Sequence, residues 1–266
     1  MTALGEFNYL VLDQPEVLRS LFHPRREDEF RPARENRDDL MIQVEKDVYL
    51  SASCHFVKKE APMILFFHGN GEIVADYDDF AHFYNDLGIN FFVVDYRGYG
   101  GSSSSPTVTA MMKDCHMVLD FLLLYRAENK MTGPVCLMGR SLGSASAIEL
   151  AAKRPDDIFC LIIESGFAYA GPLLQILGID PDRIGYREEG GFENIDKIKT
   201  FSKPCLVIHA QYDHIISFSD GQALFNASGS KEKFFLEIKG ANHNDIFFRG
   251  MTPYLEHIQQ ICFLNP

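Results

Sequence analysis

Several features are missing from this 266-residue chain. None of its six cysteines (Cys54, Cys115, Cys136, Cys160, Cys205, Cys262) lies within C-x-x-C spacing of another, so the spacing indicates no zinc site. Cys136, Cys160 and Cys205 fall inside apolar runs, where a cysteine behaves as a small buried hydrophobe. A disulfide framework is not expected in a chain this long, which points to a reducing, cytoplasmic setting. No apolar stretch approaches transmembrane length, so no integral membrane segment is expected. Residues Met1 to Phe7 lack the basic and apolar regions of a signal peptide. Thr2 argues against myristoylation, and Cys262, fifth from the end, against a prenylation box. Positive charge is also scarce. Lys and Arg number 25 against 37 Asp and Glu, a net charge of −12. That balance disfavours nucleic acid and anionic membranes as partners, and it leaves the oligomeric state open.

What the chain does have is apolar bulk, 46% of its residues. This suits one large α/β domain spanning residues 1–266. Residues 1–38 are irregular and read as an N-terminal arm packed on the core, with a short amphipathic helix over 16–22. Leu40–Glu45 and Val48–Phe56 flank a Lys46-Asp47 turn and predict an antiparallel hairpin. Strands then alternate with helices. The apolar runs 63–67, 90–94, 135–138, 158–163, 205–208 and 233–238 read as strands. Helices are expected at 72–87, 107–127, 144–154, 218–226 and 252–262. Residues 166–200 break this rhythm with scattered glycines, prolines and short apolar pieces. They predict a small lid of short helices. The alternation predicts a doubly wound, mostly parallel sheet with helices on both faces, whose functional groups sit at the C-terminal strand ends.

The strand 135–138 runs without a gap into Gly139-Arg140-Ser141-Leu142-Gly143, and an Ala-rich helix follows. Strand, G-x-S-x-G and helix together form the context of a nucleophile elbow. The turn strains Ser141 and lifts its hydroxyl above the sheet at a helix N-terminus. A serine hydroxyl is a weak nucleophile and needs a base, and the base needs an orienting acid. Downstream, Asp213 follows one strand and His243 follows the last. Glu164 also ends a strand and competes with Asp213 as the acid.

These segments, with His68-Gly69-Asn70-Gly71 and Asp95-Tyr-Arg-Gly-Tyr-Gly-Gly-Ser102, resemble the α/β-hydrolase superfamily of serine hydrolases over roughly residues 40–262. Their form resembles the short-lid branch that includes acyl-protein thioesterases and peptidase-like hydrolases. The resemblance implies that Ser141 is the nucleophile, His243 the general base and Asp213 its orienter. It implies an oxyanion hole from the backbone N–H of Leu142 and of Asn70, with Gly69 or Gly71 as alternatives to Asn70. It also implies an ester, thioester or amide substrate with no metal or organic cofactor. His68 is expected to brace the oxyanion loop, Asp95 and Arg97 to pin the next turn, and His209 to be a buried strand-end residue. His214 either points into the cleft or is solvated. Phe167, Tyr169, Leu173, Leu174, Ile176 and Leu177 line an acyl pocket or simply pack the lid. Glu188 and Glu189 would mark a peptidase if they bound a substrate amine. Loss of turnover on the same fold, leaving a binding protein, is the reading from another functional class.

Overall fold

The computed structural model describes residues 9–27 and 31–264. The first seven residues, read above for a leader, lie outside them. The chain opens with helix α1 (Pro15–Leu21), followed by the hairpin strands β1 (Arg37–Glu45) and β2 (Val48–His55). Strand β3 (Met63–Phe67), helix α2 (Ala81–Asp86), strand β4 (Asn90–Val94) and the long helix α3 (Val108–Glu128) come next. Strand β5 (Val135–Arg140) leads into α4 (Gly143–Lys153), and β6 (Cys160–Glu164) follows. Three short helices, α5 (Ala170–Ile176), α6 (Pro181–Ile184) and α7 (Asn194–Thr200), precede β7 (Cys205–Ala210). Helix α8 (Phe218–Ala227), strand β8 (Lys233–Ile238) and α9 (Ile246–Cys262) complete the chain.

The eight strands form one sheet in the order β1-β2-β4-β3-β5-β6-β7-β8. β1 pairs with β2 and β2 with β4 in antiparallel fashion, and every later pairing is parallel. The inner strands β3 to β7 are buried throughout, except for the half-buried Arg140 that ends β5. That is why they read as unbroken apolar runs rather than alternating ones. Two hydrophobic layers cover the sheet. One is built with α1, α3, α4 and α7, the other with α2 and α9. The succession of strands reverses direction around β3, which lies between β4 and β5. A crevice at such a switch point is where doubly wound sheets bind ligands, and the loops after β3 and β5 both open there.

Two elements differ from expectation. Residues 72–87 form a 3₁₀ turn at Val74–Tyr77 and then α2, not one helix. Asp95 accepts from the Val74 N–H at 2.9 Å and Asp76 from the Ile73 N–H at 3.0 Å, which caps the start of the turn. The Asp78 and Phe80 N–H groups then bond three residues back, to Ala75 O and Tyr77 O, rather than four. The last helix starts at Ile246, six residues earlier than expected, and breaks at Gly250. A side chain at Gly250 would lie 2.4 Å from Ile238, so glycine lets the helix press onto β8. Residues 9–22 are fastened to the body. Tyr9, Leu12, Val17, Leu21 and Phe22 are buried in the core, and Asp13 accepts from the Val108 and Thr109 N–H groups at the start of α3.

Candidate active site

Ser141 follows β5 with φ +52°, a left-handed conformation that costs a non-glycine residue about 1–3 kcal/mol and clusters at functional sites. Its surroundings over-determine it. The Ser141 N–H donates to Glu164 O at 2.9 Å, and its own carbonyl accepts from the Ser144 N–H and hydroxyl. The flanking glycines are required by contact. A Cβ on Gly139 would lie 2.4 Å from the Gly143 carbonyl oxygen, and one on Gly143 would lie 2.1 Å from that of Phe67.

The fold brings Ser141, His243 and Asp213 together. His243 Nε2 lies 3.1 Å from Ser141 Oγ, and Nδ1 lies 2.7 Å from Asp213 Oδ2. Burial pushes the Asp213 carboxyl up, but its interactions with His243 and the N–H groups of Ile216 and Ile215 outweigh it. The net effect is a pKa below the ordinary carboxylate value. A carboxylate only accepts, so the His243 Nδ1 carries the hydrogen and Nε2 faces the serine hydroxyl as an acceptor. Glu164, the rival acid, is engaged elsewhere. Its oxygens accept from Arg140 Nε at 3.0 Å and from the Tyr254 hydroxyl at 2.6 Å.

The loop after β3 is built from several anchors. His68 is buried, with Nδ1 2.8 Å from Gly69 O and Nε2 3.3 Å from Asp95. The Gly69 N–H is occupied by Glu72 Oε2 at 2.7 Å. Among the described residues, the N–H groups of Asn70 and Leu142 donate to no protein acceptor. The Asn70 side chain faces the arm: Oδ1 accepts from His23 N and Tyr99 Oη, and Nδ2 donates to Leu21 O. Arg97 makes a two-pronged contact with Asp114.

Sequence reasoning missed a partly buried ion cluster. Arg140 pairs in register with Glu164 and also bonds Glu72 and the His243 carbonyl oxygen. Burial pulls its pKa down, but the charges of Glu72 and Glu164 more than offset this. Burial likewise pushes Glu72 up, and Arg140 and Tyr77 bring it below the ordinary value. The available signal was the basic residue inside G-x-S-x-G.

The remaining candidates separate cleanly. His209 is buried, with Nε2 3.0 Å from Ile216 O, and burial lowers its pKa. His214 is exposed. Asp245 accepts from the Asn242 N–H and pairs with Arg249. Phe167, Tyr169, Leu173 and Ile176 line a shallow groove with Ile215 and Ile216, whereas Leu174 is core and Leu177 packs against it. Glu188 accepts from the Ala170 and Gly171 N–H groups and the Tyr186 hydroxyl. At the opposite end of β5 and β6 the sulfurs of Cys136, Cys160 and Cys262 lie within 4.8 Å of one another, a grouping that local spacing does not reveal. All six cysteines are free and buried. Among the described residues no helix is long and apolar enough to cross a membrane.

The sequence profile of the family described as serine aminopeptidase, S33, matches residues 58–177. Over 205 residues the chain is 33% identical to human alpha/beta hydrolase domain-containing protein 17B, covering 74% of this chain and 65% of that protein. It is 30% identical to protein bem46 of Schizosaccharomyces pombe over 69% of this chain and 62% of that one. The chain thus spans just under two thirds of these relatives. A Pyrococcus furiosus esterase superposes with a TM-score of 0.70 at 15% identity, covering 91% of this chain and 96% of that one. A Paleococcus ferrophilus monoacylglycerol lipase superposes with a TM-score of 0.60 at 19% identity, covering 81% and 98%. With a switch point in the strand order, a serine in a left-handed strand-to-helix turn and these likenesses together, the chain has the α/β-hydrolase fold and resembles the serine hydrolases of that superfamily.

Proposed function

We propose that this protein is a serine hydrolase that cleaves a carboxylic ester or thioester through an acyl-serine intermediate. The observation that carries the reading is the unbroken relay from Asp213 Oδ2 through His243 to Ser141 Oγ. In the first half-reaction His243 Nε2 takes the Ser141 proton as Oγ bonds to the substrate carbonyl carbon. The N–H groups of Leu142, at the start of α4, and of Asn70, on the loop after β3, receive the oxyanion in this reading, with Gly71 as the alternative to Asn70. Collapse of the tetrahedral intermediate expels an alcohol or thiol, which receives the proton from His243. Water then attacks the acyl-serine, with His243 again as base. The groove of Phe167, Tyr169, Leu173 and Ile176 adjoins Ile215 and Ile216, whose N–H groups bond Asp213. It supports an acyl group of modest length. The short helices between β6 and β7 act as its lid, and the free cysteines support a reducing, cytoplasmic setting.

The test is a fluorophosphonate probe. Labelling of wild type and none of Ser141→Ala is expected. An unlabelled but folded wild type would leave a binding protein instead. One observation favours a second reading: the matching family description names an aminopeptidase. Glu188 does not assist it, because its carboxylate is used by backbone N–H groups. Comparing p-nitrophenyl esters and acyl thioesters with aminoacyl anilides separates the two, and faster turnover of anilides would select the peptidase.

A further inference from the structure

Behind the His243 loop lies a second cavity of about 160 Å³. Its walls are mostly aromatic: Tyr77, Phe80, Tyr84, Phe247, Phe248 and Tyr254. The rings meet edge to face. Phe247 stands at 67° to Phe80, 85° to Phe248 and 78° to Tyr254, with centroids 5.3–6.0 Å apart. Rings set at these angles line the cavity in several orientations, and an aromatic lining is what a cation–π site requires. Phe248 stands at its edge and is 68% exposed.

The polar lining is unbalanced in charge. Glu72 and Glu164 face a single guanidinium, Arg140, which leaves one negative charge uncompensated. A third carboxylate, Asp76, pairs with Arg25. The field of Glu164 adds to burial in raising the Tyr84 phenol pKa. An anion is disfavoured here. A metal ion is disfavoured too, because the Glu72 and Glu164 oxygens are already taken by Arg140, the Gly69 N–H, Tyr77 and Tyr254. What fits is a cation that binds through ring faces and field rather than through direct ligation. A cavity of about 150 Å³ accepts a guest the size of benzene, so a trimethylammonium group is of suitable bulk.

From this we infer that the pocket of Phe80, Phe247, Phe248 and Tyr254, backed by Glu72 and Glu164, binds a small quaternary ammonium group. Binding requires no turnover, so the inference stands apart from the hydrolase reading. The probe is choline chloride titrated into the full chain, read by calorimetry and by the ¹H shift of its N-methyl groups, with sodium chloride matching the ionic strength. Saturable binding with an upfield ring-current shift is expected. The neutral isostere 3,3-dimethylbutan-1-ol should bind at least about tenfold more weakly, the size of a desolvated cation–π contact. Phe248→Leu keeps apolar bulk but removes a π-face, and should weaken choline several-fold. Equal affinity for the isostere would make the pocket merely apolar and overturn the inference. So would absent saturation, or wild-type affinity in Phe248→Leu.

Discussion

The Arg140 guanidinium donates to the backbone carbonyl oxygen of His243 across 2.9 Å. Arg140 immediately precedes Ser141, so the segment that carries the hydroxyl also holds the imidazole loop. Its other nitrogens reach Glu164 and Glu72, and Glu72 in turn fixes the Gly69 N–H. One side chain thereby ties three loops of the proposed site together. Arg140→Met should lower kcat about 10–100-fold, the scale of a small misplacement of reacting groups, with KM changed far less. Arg140→Lys keeps the charge but loses the fork, and should recover only part of the rate. Steady-state kinetics with an activated ester checks both; an unaltered kcat in Arg140→Met would remove Arg140 from this role.

The choice of acid is also open to measurement. Asp213→Asn should leave the fold intact and reduce turnover by about 10³–10⁴, because the amide favours the wrong imidazole tautomer. Glu164→Gln should act mainly on stability, since Glu164 faces Arg140 and Tyr254. Turnover and thermal melting of the two variants, measured side by side, distinguish them. The larger loss of rate in Glu164→Gln would reverse the assignment.

The parts legible in sequence were those written in short-range pattern. Met63–Phe67 and Asn90–Val94 are strands at the expected residues, since burial on both faces leaves an apolar run that no turn residue interrupts. The order of Ser141, Asp213 and His243 along the chain was legible for the same reason: each sits just beyond such a run. The Arg140–Glu164 pair was not, because it depends on the register between two parallel strands. Neither was the use of the Asn70 side chain, which bonds residues of the arm nearly fifty positions away. The expected helix at 72–87 is interrupted where the Asp78 and Phe80 N–H groups bond three residues back instead of four, a switch that apolar spacing does not mark.

Asn70 therefore has two separable parts. Its side chain staples the arm through His23, Leu21 and Tyr99, while its backbone N–H is the proposed oxyanion donor. Asn70→Ala keeps the N–H and removes the side-chain bonds to Leu21, His23 and Tyr99, leaving the Leu21 carbonyl without that donor while His23 N–H still donates to the Tyr99 hydroxyl, which should cost about 1–3 kcal/mol. Urea unfolding and limited proteolysis of residues 9–27 would show the loosened arm, with a smaller loss of kcat than in Arg140→Met. A kcat loss larger than that of Arg140→Met, with unchanged stability, would contradict this division.

His55 supplies a pH dependence. Burial, assisted by the charges of Arg37, Arg31 and Arg34 against that of Asp78, lowers its pKa from 6.5 to about 4. Between those values the unfolded chain binds a proton that the folded chain refuses. Stability is then complete above about pH 6.5 and declines as pH falls toward 4. His209, also lowered by burial, acts in the same direction. His55→Gln should show a shallower decline of the urea midpoint over that interval. A wild-type-minus-variant difference that stays constant with pH would refute it.

Two glycines offer a controlled comparison of close approach and backbone conformation. At Gly143 a methyl group would lie 2.1 Å from the Phe67 carbonyl oxygen and 2.8 Å from that of His68. Neither neighbour can yield cheaply, because both are backbone atoms at the end of β3. Gly143→Ala must push α4 off the sheet, carrying Ser141 and the Leu142 N–H with it. A loss of at least about 2 kcal/mol is expected from such overpacking, together with loss of fluorophosphonate labelling in whatever protein folds. Gly178 has φ +79° and open space where a Cβ would go. Gly178→Ala should cost only the left-handed penalty of about 1–2 kcal/mol and leave labelling intact. If both variants lost stability equally and both were still labelled, the contact of α4 with the end of β3 would not be what positions the elbow.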